Sequence, residues 1–209
     1  MRAAFVLLAG LGLASASAAE HGDLRGGVNV GMTAADLPTS GYKDFACVAP
    51  KDKSLAGFAD WKTCEPGADG LRALHAAIDE PGADDTLVAG HPVNLTLGFD
   101  DGGRLARIDI ETKSKGPMYL RKKAFLLGLQ ARARYGEAGW DCQEAPLTAD
   151  EEPLGPTSIK EHCAKTAGER KITVDRALYR KVGAEAKAFT SESRVVIDWA
   201  GKWEVGSRQ

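Results

Sequence analysis

The alternation of apolar and polar positions is clearest between His91 and Gly136. Val93, Leu95, Leu97 and Phe99 alternate with Asn94, Thr96 and Gly98, a period of two that puts the apolar side chains on one face of a strand. Asp100-Asp101-Gly102-Gly103 then reads as a turn, because glycine accepts positive φ and aspartate tolerates it. The return run carries Ala106, Ile108 and Ile110 on one parity and Arg107, Asp109 and Glu111 on the other. An antiparallel hairpin with one buried face is predicted.

The period then changes. Leu120, Ala124, Leu127, Ala131 and Tyr135 recur at spacings of three and four, which predicts a long amphipathic helix. Pro117 suits its first turn, Arg132 and Arg134 suit the negative end of its dipole, and Gly136 suits its closure. Its apolar stripe and the greasy face of the hairpin would bury each other.

Elsewhere the pattern is shorter. Val28-Asn29-Val30 predicts a brief strand, and Thr33 with Asp36 predicts a capped turn that Pro38 cuts off. Tyr42 to Val48 reads as extended, Lys51 to Lys62 as a loop, and Thr86-Leu87-Val88 as a strand turned by Gly90. Leu71, Leu74 and Ile78 share helical spacing, as do Val174, Leu178, Val182 and Ala186, so each predicts a helix. Thr157 is placed to cap a short helix leading to Cys163, Gln143 to Pro156 reads as a surface loop, and Val195, Ile197 and Trp199 alternate as a terminal strand that Trp203 and Val205 continue. The expected fold class is α+β: an antiparallel sheet with helices packed on one face. Two units are expected, 19–112 and 113–209, each with helical material, a cysteine pair and a terminal hairpin; the alternative is that they form one compact domain.

Residues 1–18 have the layout of an export signal peptide. Arg2 supplies the charge, Ala3 to Ala14 the apolar segment, and Ala16-Ser17-Ala18 the cleavage pattern. The apolar segment is too short to span a bilayer as a helix, so no transmembrane segment is expected in the mature chain. The predicted location is the periplasm or the exterior. Four cysteines follow, Cys47, Cys64, Cys142 and Cys163. In an exported chain they predict two disulfides. Of three possible pairings, Cys47–Cys64 and Cys142–Cys163 close the short loops and are preferred. The short paired spacings of a zinc site are missing. A net charge of −2 with no basic stripe argues against nucleic acid as a partner.

Two blocks carry a family resemblance. Gly26-Gly27-Val28-Asn29-Val30-Gly31-Met32-Thr33-Ala34-Ala35-Asp36 resembles the opening of BamE-like (SmpA/OmlA) domains. Leu97-Gly98-Phe99-Asp100-Asp101-Gly102, with Leu105, Ile108 and the run from Leu126 to Gly136, resembles their core hairpin and a following helix. The resemblance spans residues 26–37 and 93–136. It implies a helical layer on an antiparallel sheet and a protein-binding or envelope-scaffold role. Pro38 truncates the first helix, and no lipidated cysteine follows the signal, so the pattern is not complete. Two such units with two disulfides would also be similar in architecture to β-lactamase inhibitor protein, with no functional residue to transfer.

Candidate chemistry is thin. His21, His75, His91 and His162 lack the spacing of metal ligands, and Asp84-Asp85 and Asp100-Asp101 lack the oxygen series of a calcium loop. No G-x-S-x-G occurs, and Asp150-Glu151-Glu152 reads as a solvated loop. No catalytic residue, metal or cofactor is assigned, and the chain is expected not to be an enzyme. Trp61, Trp199 and Trp203 are the candidate partner-binding residues, since tryptophan is enriched at interface hot spots. The expected function is binding of another envelope or secreted protein. The alternative is a small periplasmic hydrolase or metal-binding protein with its site in an unread loop.

Overall fold

The computed structural model describes residues 22–82, 85–114 and 118–201. The expected export signal, Pro117 and Trp203 with Val205 lie outside them.

Ten strands run in chain order: β1 (Tyr42–Cys47), β2 (Arg72–Ile78), β3 (Leu87–Val88), β4 (His91–Phe99), β5 (Leu105–Thr112), β6 (Asp141–Glu144), β7 (Glu151–Glu152), β8 (Ile159–Ala167), β9 (Arg170–Lys181) and β10 (Phe189–Trp199). Two helices separate β5 from β6, α1 (Met118–Arg121) and α2 (Leu126–Arg134), and a 3-10 turn covers Phe58–Thr63. The strands lie in the order β1-β2-β4-β5-β10-β9-β8-β6, with β3 beside β4 and β7 beside β9. Every pairing is antiparallel. The last strand, β10, pairs with β5 and so joins the early strands to the late ones, with Val195 opposite Ile110 and Ile197 opposite Ile108.

The organising hairpin forms as its alternation predicts. Leu97 faces Ile108 and Leu95 faces Ile110 across β4 and β5, with an irregularity at Gly98 and Phe99. The backbone N–H of Arg104 donates to Asp100 Oδ1 at 2.8 Å, and Gly103 takes φ +79°, the turn conformation glycine favours. Tyr42 to Cys47 is extended, and Thr33 Oγ1 bonds Asp36 in a single turn.

The α+β expectation is corrected. The described chain is predominantly antiparallel sheet, and its helices are too short to make a layer. Three of the expected helices are strands. Leu71 to Ile78 contains β2, whose Leu74, Ala76 and Ile78 alternate inward. Spacings of four are multiples of two as well as near multiples of 3.6, so Val174 and Leu178 fit either period. What hid β9 is Arg176 at the inward position between them. Its guanidinium pairs with Glu161 of β8, each side chain only 11% exposed. Glu161 and Lys165 likewise alternate with Cys163 on β8, where a short helix after Thr157 was expected. Charged residues on the covered face thus broke the apolar alternation.

The helix expected from Pro117 to Gly136 is two pieces. Arg121 draws α1 toward the start of β10, donating to the Phe189 carbonyl and sitting 4.5 Å from the Phe189 ring. The α2 helix packs across β10 and β9, burying Leu127, Gly128 and Ala131. Gly128 is required there, because a Cβ would lie 2.8 Å from Val174 Cγ1 and 2.7 Å from Arg176 Cδ.

One face of the sheet carries the core, from Val28 and Leu37 through Leu74, Leu95, Leu97 and Ile108 to Ile172 and Val174. The incoming segment 22–37 is fastened to that face by a buried aspartate. Asp23, 3% exposed, accepts from Val30 N–H at 2.9 Å, Tyr135 Oη at 2.9 Å and Arg170 Nε at 2.7 Å. Burial and the neighbouring Asp23 carboxylate push the Tyr135 phenol well above its ordinary range. Two disulfides, Cys47–Cys64 and Cys142–Cys163, staple opposite ends of the sheet, as the even cysteine count leads one to expect. Among the described residues no helix is long and apolar enough to cross a membrane.

Candidate functional site on the open face of the sheet

Alternation that sends Val174, Val195, Ile110 and Leu95 inward sends their neighbours to the other face. Strand register then aligns Gln143, His162, Asp175, Arg194, Glu111 and Asn94 in one row that crosses β6, β8, β9, β10, β5 and β4. All six side chains are polar, and all but the half-buried Asp175 are exposed. This row is the centre of the sheet's open face.

Its charges are paired across strands. His162 Nδ1 lies 2.6 Å from Asp175 Oδ1. Arg194 holds Asp109, two residues along β5 from its register partner Glu111, with Nε at 2.9 Å from Oδ1 and 3.2 Å from Oδ2. The hydrogen bond to Asp109, reinforced by the charges of Asp109, Glu111 and Asp175, raises the Arg194 guanidinium above its ordinary value. Toward the neighbouring edge of this face, Arg107 bridges Asp198 at 2.7 Å and Asp69 at 2.8 Å. Around Arg194 itself, the carboxylates of Asp109, Glu111 and Asp175 outnumber the one guanidinium, which leaves the centre of the face net acidic.

Beside the row lies a shallow depression of about 500 Å³. Its floor is low because Ala177 sits between Lys160 of β8 and Glu192 of β10. Lys160 donates to Glu151 at 2.9 Å and, like Lys181, stands over the Tyr179 ring. The Thr148 N–H and then Lys160 hold the Glu151 carboxyl down to about 2, and Lys181 and Thr148 do the same for Asp150. The loop read as solvated acid is therefore an ionic clasp, and β7 within it adds to the edge of β9.

An imidazole beside a carboxylate is part of a general-base arrangement. Here the register neighbours of the pair are Gln143 and Arg194, and neither is a nucleophile. Ser193 has the opposite parity and is buried on the covered face. Among the described residues, Cys142, Glu161 and Cys163 are the one group of three possible metal ligands close enough to share an ion, and its two sulfurs are bonded to each other.

Of the candidate partner-binding tryptophans, Trp61 is placed differently from that expectation. Trp61 is 5% exposed and stacks on Phe99 at 6.0 Å, so it fills the core and offers no partner surface. Trp199 is half-buried, with Arg104 over its ring at 4.6 Å. Trp203 is outside the described residues. The residues that do gather on the open face, His162, Asp175 and Arg194 above all, carry no motif in sequence. The one available clue was the polar parity of Lys171, Thr173 and Asp175.

Comparison with protein-family models, with curated proteins and with solved structures finds no match.

Proposed function

We propose that this chain is an exported, non-enzymatic binding protein that engages another envelope or secreted protein through the open face of its sheet. The observation that carries this reading is the row from Gln143 to Asn94: a broad surface of prearranged charges on rigid strands. Charges held in place by their neighbours lose little side-chain freedom when a partner covers them. A net acidic centre around Arg194 favours a partner with a basic patch. The likeness of residues 26–37 and 93–136 to BamE-like domains supports the same non-catalytic role, and two disulfides are what an oxidising compartment permits.

The test is site-specific photo-cross-linking in the native host compartment. A photoreactive residue at Thr96 or Thr173, on the open face, is expected to give one discrete protein adduct. The same group at Leu129, exposed on α2, is expected to give none. Adducts from Leu129 alone, or none from either strand position, overturn the proposal.

A further inference from the structure

The covered face has a gap. Helix α2 lies over β9 and β10, and the β3–β4 hairpin lies to the other side. Between them is a cleft of about 240 Å³. Ile110, Val195 and Ile197 form its floor, only their edges reaching the opening, while Leu127 and Ala131 form one wall. The opposite wall is Val88 and Ala89, and Ala89 is held at φ +56° next to Gly90 at φ +78°. Both turn residues are left-handed, as a type I′ two-residue hairpin requires, and the first is usually asparagine, aspartate or glycine. Alanine there presents a methyl to the cleft instead of a polar side chain.

The polar groups that line it are Asp23, Gln130, Arg134 and Tyr135, and they are not equivalent. Both oxygens of Asp23 are occupied, by Tyr135, Arg170 and Val30 N–H, so they offer a ligand nothing. Arg134 uses one nitrogen on the Asp23 carbonyl at 2.9 Å and is otherwise exposed. Gln130 is four residues earlier, hence on the same side of α2. The rim therefore presents a cation and an amide donor side by side above an apolar interior.

We infer that this cleft binds a small monocarboxylate with an apolar tail, its tail on Ile110, Val195 and Ile197 and its carboxylate on Arg134 and Gln130. The volume is below the several hundred Å³ of drug-sized sites, which sets the ligand at on the order of ten heavy atoms. An eight-carbon fatty acid has that size. This site is on the face away from the proposed protein-binding surface and does not depend on it.

The experiment is a methyl-NMR titration of the oxidised, full mature chain with sodium octanoate and, separately, with octanol. Octanoate is expected to shift the Ile110, Val195, Ile197 and Leu127 methyls saturably, with a dissociation constant at or below about 1 mM. Octanol is expected to bind roughly tenfold more weakly, because it lacks the charge that Arg134 answers. Arg134→Gln should lose that preference and Arg134→Lys should keep most of it, while Ala131→Leu should fill the cleft and abolish the shifts. Because the octanol arm uses the unaltered protein, a variant that fails to fold leaves the test intact. Absence of saturable shifts at these methyls up to about 10 mM octanoate, or equal affinity for octanol, overturns the inference.

Discussion

Asp23 and Asp109 make similar bonds in different surroundings, and replacing each by alanine separates geometry from burial. Removing the Asp23 carboxylate leaves the Val30 N–H and the Tyr135 hydroxyl without their acceptor at a site where Asp23 was 3% exposed. Each unmade buried bond costs about 1–3 kcal/mol. Arg170 also loses its partner, but its side chain is 31% exposed and can turn to water, so its share is discounted. Asp23→Ala should therefore cost about 3–5 kcal/mol, against the roughly 5–15 kcal/mol that domains possess. Asp23→Asn keeps one acceptor oxygen and should cost about 2 kcal/mol. At Asp109→Ala the stranded Arg194 is 51% exposed, and the cost should stay below about 1 kcal/mol. Urea unfolding of the oxidised proteins reads the difference directly. With a slope of about 2 kcal/mol/M, Asp23→Ala should lower the midpoint by roughly 2 M and Asp109→Ala by less than about 0.5 M. Equal midpoints for the two variants would refute the claim that the buried aspartate fastens segment 22–37 to the sheet.

Four further outcomes follow from local contacts. Gly103→Ala and Gly90→Ala both put a side chain at positive φ, but only at Gly103 does the new Cβ meet Trp61, 2.8 Å from its ring. Gly103→Ala should thus be the more destabilising by about 1–3 kcal/mol and should shift tryptophan fluorescence, and equal midpoints would show that Trp61 yields freely. Glu151 and Asp150 titrate in the fold at about 2, below the ordinary carboxylate value of about 4. Their contribution is complete above pH about 5 and is lost as pH falls toward 2, so Glu151→Gln should flatten the acid limb of a stability–pH curve. Burial, then Lys123, lowers the His91 pKa, so stability should also decline as pH falls below about 6.5, and His91→Gln should remove that slope. Replacing Cys142 and Cys163 together by alanine opens a loop of sequence separation 21 and should cost about 3 kcal/mol by urea unfolding, whereas an unchanged midpoint would mean that the strand pairing alone holds β6 to β8.

What could be read from the chain was local. The hairpin from Val93 to Ile110 was legible because every inward position is apolar and every outward one is small or polar, and Asp100 to Gly103 supplies the turn. The turn at Thr33 and the strands at Tyr42 and Leu87 were legible for the same reason, since neighbours within a few residues decide them. Of the later strands, the end of β10 was legible in the alternation of Val195, Ile197 and Trp199, but β8 and β9 were not. Arg176, Glu161 and Lys165 occupy inward positions of β9 and β8, and an inward charge is tolerable only because a distant partner meets it: Arg176 and Arg132 of α2 for Glu161, and the carbonyls of Gly136 and Ala138 for Lys165. No local pattern announces such a partner.

The same division governs the site. Sequence alone placed Trp61 among partner-binding candidates, and tertiary packing put it against Phe99 in the core. It also separated His162, Asp175, Arg194 and Glu111 along the chain, where nothing relates them. Antiparallel register across β8, β9, β10 and β5 brings them into one row, because each strand presents alternate residues to one face and the pairing chooses which residues stand opposite. Alternation within a segment was therefore the property of the sequence by itself. Which charges meet, which face stays open and where the cleft beside α2 falls were decided only when distant strands paired.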